Sequence, residues 1–147
     1  MSASRLLIVA AMLLLSACEA PTEGTNSAAS MVMPPNGSKW QLVSGLPDKL
    51  PAEVTISLQF GVDGSISGTG GCNLYRSHMS IEGGSVTVSP IVASKRGCLG
   101  PAGQLESQFF TAMSKVSGLS SDAANLRLAL SDGGELLFEV DGDSSGK

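Results

Sequence analysis

The sequence is poor in aromatic residues and in the residue types that most often hold metals. Phe, Trp and Tyr make up 4% of its 147 residues, so we expect a mainly aliphatic core. It has one histidine and no Cys-x-x-Cys or His-x-x-x-His spacing, patterns that bind zinc in many proteins. The Gly-x-Ser-x-Gly sequence of serine hydrolases is also missing. We therefore expect no catalytic residue set, no metal and no cofactor.

Basic residues are sparse as well. Nine Lys and Arg against thirteen Asp and Glu give a formal net charge of −4 at pH 7. The bases are scattered along the chain, whereas nucleic-acid-binding proteins usually concentrate them in a block or on one face. We therefore expect no nucleic acid among the partners.

No apolar run is long enough to span a membrane. The run over residues 6–15 follows Arg5 and is shorter than the about 20 residues that a transmembrane helix needs. A charged start with a short apolar middle is typical of a secretory signal peptide. The run ends in Leu15-Ser16-Ala17-Cys18, which resembles the lipobox of bacterial lipoproteins.

This resemblance implies a signal peptide over 1–17 and lipidation of Cys18. Acyl chains would anchor the protein to a membrane without a spanning helix. We expect the periplasmic face of the cell envelope, with the outer membrane favoured because Glu19 follows the cysteine where Asp would favour inner-membrane retention. Residues 18–37 are rich in Ala, Ser, Thr, Pro and Gly, a composition typical of a disordered tether.

The folded part, residues 38–140, has mostly the period of β-strands. Apolar residues alternate with polar ones over 39–43, 53–60, 126–130 and 136–140. Further strands are predicted over 66–75, where glycines interrupt the pattern, from 79 to 81 and over 86–88. Residues 101–116 differ, because Leu105, Phe109, Ala112, Met113 and Val116 recur at helical spacing. We predict an α+β fold, mostly β: a strongly curled antiparallel sheet or partial barrel of six to eight strands with one covering helix.

The stretch Ser65-Ile-Ser-Gly-Thr-Gly-Gly-Cys-Asn-Leu-Tyr-Arg-Ser77 is unusually glycine-rich for a strand. A dinucleotide-binding loop would need glycine where Asn73 stands, and a helix directly after it. A reactive Cys72 activated by His78 is a second interpretation. A third is a structural bend, since glycines in a strand often mark one. With Cys18 assigned to lipid, Cys72 and Cys98 are left, and exported proteins often pair such cysteines.

Taken in order, these motifs resemble the META domain, also called the HslJ-like family. The resemblance rests on a Trp-x-Leu strand, an Ile-x-Leu-x-Phe strand before Asp-Gly, and a second cysteine before a helix with Glu106 and Phe109. Its most specific part is the glycine-rich motif formed by Gly68, Gly70, Gly71, Cys72, Asn73 and Tyr75. The family implies a disulfide between Cys72 and Cys98. Lys95-Arg96-Gly97-Cys98 departs from the Thr-x-Met-Ala-Cys of many members, with Ser94 near the usual Thr.

The same resemblance implies a function outside catalysis. Family members are typically small exported bacterial proteins, and some are linked to heat-shock response, to resistance against certain antibiotics, or to secretion and motility. We therefore expect a monomeric, non-enzymatic envelope lipoprotein that acts in stress response or envelope maintenance. Its partners would be the membrane, through the lipid anchor, and an unidentified envelope protein. The alternative is a small lipoprotein inhibitor of an exogenous enzyme such as lysozyme. Residues 141–147 are expected to form a disordered tail.

Overall fold

The computed structural model describes residues 31–142. The predicted signal peptide, Cys18 and the tether up to residue 30 lie outside this range, as does the tail from residue 143. Among the described residues, no helix has the length and apolar character that crossing a membrane requires.

Nine β-strands and one α-helix make up the described domain. In chain order they are β1 (Lys39–Ser44), β2 (Ser57–Phe60), β3 (Ser65–Thr69), β4 (Leu74–Glu82), β5 (Ser85–Val88), β6 (Val92–Ala93), α1 (Pro101–Met113), β7 (Val116–Ser121), β8 (Asn125–Leu130) and β9 (Glu135–Val140).

The strands form one antiparallel sheet that curls into a nearly closed barrel. Eight strands follow the order β5-β4-β3-β2-β1-β9-β8-β7, and β6 pairs with β4 beside this path. The two end strands, β5 and β7, approach within 8 Å between Cα atoms. This arrangement confirms the predicted fold class, because the sheet is strongly curled, mostly antiparallel β-structure with one helix.

The core fills the space between the curled sheet and α1. Strand residues alternate between the buried inner face and the outer face, as the two-residue period of a strand requires. From α1, Leu105, Phe109 and Met113 are buried with them. Phe109 makes edge contacts with Tyr75 and Phe138, at 5.5 and 6.5 Å between ring centroids. The predicted buried face of the helix is therefore correct.

Several element predictions were wrong in their boundaries, among them the strand over 53–60, which is β2 over Ser57–Phe60 only. The helix ends at Met113 instead of Val116, which already belongs to β7, and Gly118 lies inside that strand beside a bulge. The predicted strands over 66–75 and from 79 to 81 form two antiparallel strands joined by a turn, β3 and β4, and β4 continues through residues 79–81. The glycines of the stretch over 66–75 were predicted to bend a single strand, whereas in the structure they form a turn that reverses the chain direction.

The N-terminal edge of the domain also lies earlier than residue 38. Met33 packs against the core and Pro34 is buried. The backbone N–H of Gly37 donates to the carbonyl of Phe60 at 2.7 Å. The last residues of the predicted tether are therefore part of the folded domain.

Candidate functional site

The glycine-rich motif forms the turn of the β3–β4 hairpin. Thr69 pairs with Leu74 at its base, and the backbone N–H of Gly70 donates to the carbonyl of Asn73 at 2.8 Å. The turn lies against α1, so the residues that the sequence singled out meet the helix there.

Three glycines of the motif are required, two by the close approach of neighbouring atoms and one by its backbone conformation. A Cβ on Gly68 would overlap the carbonyl oxygen of Ser57, and one on Gly70 would lie 2.8 Å from Phe110 Cζ. Gly71 has φ +112°, a conformation that L side chains rarely adopt. The glycines therefore let the turn contact both the neighbouring strand and the helix.

Asn73 is the one buried polar residue of the described domain, with 5% of its surface exposed. Its Nδ2 donates to Glu106 Oε1 at 2.7 Å and lies 3.5 Å from Cys98 Sγ. Its Oδ1 accepts from the backbone N–H of Arg96 at 2.7 Å and from Ser94 Oγ at 3.0 Å. The side-chain amide thus has partners for its donors and its acceptor inside the protein, as burial of a polar group requires.

Glu106 holds the turn from the helix side. Its Oε2 accepts from the backbone N–H groups of Asn73 at 2.6 Å and Cys72 at 3.4 Å. Together with the bond from Oε1 to the Asn73 side chain, the carboxylate caps the turn with both oxygens. Hydrogen bonds to an ionised carboxylate are stronger than neutral ones, so Glu106 is a principal link between hairpin and helix.

A disulfide joins Cys72 in the turn to Cys98, just before α1, with 6.1 Å between the Cα atoms. This pair agrees with the disulfide that the family resemblance implied, and the separation falls within the range that such bonds require. The bond ties residues 94–100 to the hairpin at the same place as Asn73 and Glu106.

Tyr75 completes this cluster from β4. Its ring packs edge-on against Phe109 and Phe110, at 5.5 and 5.6 Å between centroids. Its hydroxyl donates to the carbonyl of Ser57 at 2.9 Å. Burial raises the pKa of the Tyr75 hydroxyl above its ordinary value, so this group stays a neutral donor.

The structure separates His78 from Cys72. His78 lies on the exposed outer face of β4, opposite Ser65, about 13 Å along the strand from Leu74. The sulfur of Cys72 is bonded to Cys98. The interpretation as a thiol–imidazole pair is therefore wrong for this structure. Among residues 31–142, no three Cys, His, Asp or Glu side chains are grouped closely enough to hold a metal ion.

The sequence pattern alone did not assign a role to Glu106. It was named as part of the family resemblance, but 33 residues separate it from Asn73, and nothing in a single sequence indicates that the two meet. Its position in the predicted helix could have indicated a role, because Glu106 directly follows the buried Leu105 and so lies beside the apolar face of the helix.

Comparison with known proteins agrees with this geometry. The family model of the META domain matches residues 33–143. The chain belongs to the META domain family. No curated protein gives a significant match in sequence. The matched region begins at Met33, where the structure also places the start of packing against the core.

Solved structures share the META-domain fold of this chain at low identity. An NMR structure of a protein from Burkholderia xenovorans is 20% identical, covers 76% of this chain and 93% of its own length, and superposes with a TM-score of 0.61. A crystal structure of a DUF4847 family protein from Bacteroides vulgatus is 12% identical, covers 71% and 92% of the two chains, and has a TM-score of 0.50. At these identities the likeness concerns the fold.

Proposed function

We propose that this META-domain protein is a non-enzymatic binding protein of the bacterial cell envelope, anchored through a lipid on Cys18. In this proposal the protein acts in stress response or envelope maintenance on the periplasmic face, with the outer membrane as the favoured site. The described domain would be the working part, held near the membrane by the residues that precede it.

The observation that carries the proposal is that the polar groups of the glycine-rich motif, together with Glu106, already have hydrogen-bond partners inside the domain. Both oxygens of Glu106, the amide of Asn73 and the hydroxyl of Tyr75 are all used in hydrogen bonds within the domain. A general base or a nucleophile must instead reach a substrate atom. A cluster of this kind supports a structural role, which leaves binding by the domain surface as the favoured activity.

The family resemblance and the predicted lipoprotein signal peptide support a location in the cell envelope. The sequence at Leu15-Ser16-Ala17-Cys18 is typical of a lipid-attachment site, and the disulfide between Cys72 and Cys98 suits an oxidising compartment. The domain alone offers no helix for membrane insertion within residues 31–142. Attachment through lipid is therefore the proposed route to the membrane.

The test compares the wild-type chain with Cys18→Ala in the native host. We expect the wild type to incorporate labelled palmitate and to fractionate with the outer membrane, and the variant to do neither. A host strain that lacks the protein should become sensitive to envelope stress and be rescued by the wild type only. Equal palmitate labelling of the variant would contradict the anchor. Stoichiometric inhibition of lysozyme by the purified protein would support the inhibitor alternative instead.

A further inference from the structure

The outer face of the sheet over β2, β3, β4 and β6 carries a long open groove of about 1220 Å³. Its lining combines hydroxyl and amide side chains on the outer face of the sheet, among them Gln59, Ser65 and Ser67, with apolar residues such as Leu74 and Val92. The lining includes Ile66 and Tyr75, whose side chains are buried in the core, but not Asn73, Glu106 or the disulfide.

The strand register places the polar groups of this groove in cross-strand rows. Gln59 pairs with Ser67, and Ser67 pairs with Arg76. In a second row Ser65 pairs with His78. Directly paired side chains on one face of a sheet lie about 5 Å apart, so the five groups form one continuous patch.

These five side chains are available for a ligand. Across the part of the chain that the structure describes, Gln59, Ser65, Ser67, Arg76 and His78 make no hydrogen bond or ion pair through their side chains. By contrast, the cations Lys115 and Arg127, which lie outside the groove lining, are both paired with acids at 2.9 Å.

The charge around the groove is opposite to that of the whole chain. The formal net charge is −4, yet the groove lining contains Arg76 and His78 and no Asp or Glu. The segment that ends the groove continues into the exposed bases Lys95 and Arg96. Two acids lie near the ends of the groove, Asp63 in the turn before β3 and Glu82 at the end of β4 beyond His78, and neither lines the groove. An anion would therefore meet no facing carboxylate in the groove.

We propose that this groove binds an acidic glycan, a sugar chain that carries carboxylate or phosphate groups. Arg76 would bind the anionic group, since a guanidinium donates paired hydrogen bonds to such groups. Gln59, Ser65 and Ser67 would bind the sugar hydroxyls, because each can donate and accept. Exposed Leu74 and Val92, 62% and 65% exposed, provide apolar edges against which sugar C–H groups can pack.

A free glycan chain fits this surface better than a lipid headgroup does. The polar stretch of β4 from Leu74 to His78 spans about 13 Å, which suits several linked sugars. The groove is open along this length and is lined by unpaired groups in more than one row. The inference names the ligand class for the proposed binding function and therefore rests on that function.

The test measures binding of the lipidated full chain, held in detergent micelles, to oligogalacturonate. We expect saturable binding that weakens as salt is added, because salt screens exposed charges. Neutral maltohexaose should bind at least about tenfold more weakly, since it lacks the group that Arg76 would bind. Phosphatidylglycerol vesicles, which offer an anion without a sugar chain, should take up the wild type and Arg76→Gln equally through the lipid anchor, and not through this face.

The variant Arg76→Gln should weaken oligogalacturonate binding about tenfold or more, the effect of losing a hydrogen bond to a charged group. Lys49→Gln removes the same charge from an exposed residue outside the groove and should change affinity by less than about twofold. Both side chains are exposed, so both variants should keep the wild-type circular dichroism.

Three results would overturn this inference: equal affinity for maltohexaose and oligogalacturonate, equal losses in the two variants, or vesicle binding that Arg76→Gln abolishes. If palmitate labelling shows a lipidated envelope protein but no glycan binds, the glycan inference alone fails. If Cys18 is not lipidated, the anchor fails, and the same binding measurement is made on the unlipidated full chain.

Discussion

Glu106 on the helix holds Asn73 in the hairpin turn through two hydrogen bonds, one to the backbone N–H at 2.6 Å and one to the side-chain Nδ2 at 2.7 Å. One carboxylate thus fixes both the conformation of the turn and the position of its buried side chain. The Cys72–Cys98 disulfide ties the same turn to the segment before α1. The motif is therefore a joint between the sheet and the helix.

Loss of the disulfide should destabilise the domain without changing its fold. The two cysteines are 26 residues apart, and closing a loop of that size stabilises by roughly 3.5 kcal/mol in the chain-entropy model. We expect the Cys72→Ala/Cys98→Ala double variant to lose about this much free energy of unfolding, measured with urea. Adding reductant to the wild type should give a similar loss, while the double variant should not respond to it. A stability of the wild type that is insensitive to reductant would contradict a structural role for the bond.

Gly70→Ala should weaken the contact between the turn and α1. Its new Cβ would lie 2.8 Å from Phe110 Cζ and 3.0 Å from Glu106 Cγ, so the helix or the turn must shift. Such overpacking costs about 1–3 kcal/mol. Gly97→Ala is the matched control, because nothing lies within 4 Å of its Cβ. The thermal midpoint should fall for the first variant and stay close to the wild type for the second.

Equal thermal midpoints for Gly70→Ala and Gly97→Ala would show that the close approach of the turn to Phe110 contributes nothing to stability. The two changes add the same methyl group to the chain, so the comparison isolates the space around it.

The single tyrosine of the chain gives the domain an alkaline dependence of stability. Burial raises the pKa of Tyr75, so above pH about 10 the unfolded chain loses the hydroxyl proton while the folded domain keeps it. The native state then binds more protons than the unfolded state, and the free energy of unfolding falls as pH rises. Tyrosinate absorbance followed with pH should therefore appear together with unfolding.

Tyr75→Phe removes this titration and also the hydrogen bond to the Ser57 carbonyl. We expect a loss of about 1–2 kcal/mol at neutral pH and a flatter decline of stability above pH 10. A tyrosine that ionises at its ordinary pKa in the folded domain would show that the hydroxyl is not buried as described.

The strands and the helix face could be predicted because each depends on a local period. Leu58 and Phe60 repeat every second residue, and Leu105 and Phe109 are one helical turn apart, so burial can be inferred within a short window. The sequence predicted a change of chain direction at Gly70–Asn73, but as a bend within one strand and not as a turn between two strands, because glycine permits both geometries.

The bond between Asn73 and Glu106 could not be inferred in that way. It joins residues 33 positions apart, and only the closed fold brings them together. Strand β7 was missed for a related reason. Its sequence, Val-Ser-Gly-Leu-Ser-Ser, contains only two buried apolar residues, Val116 and Leu119, and their spacing is interrupted by a bulge.

The most direct test of the joint is a double-mutant cycle on Asn73 and Glu106, measured as free energies of unfolding in urea. We expect Asn73→Ala and Glu106→Ala each to cost about 2–3 kcal/mol, because each leaves polar groups of the other without partners. The double variant should cost less than the sum, with a coupling energy of about 1–3 kcal/mol. Additive losses with no coupling would contradict the account, since the turn and the helix would then be held together by other contacts.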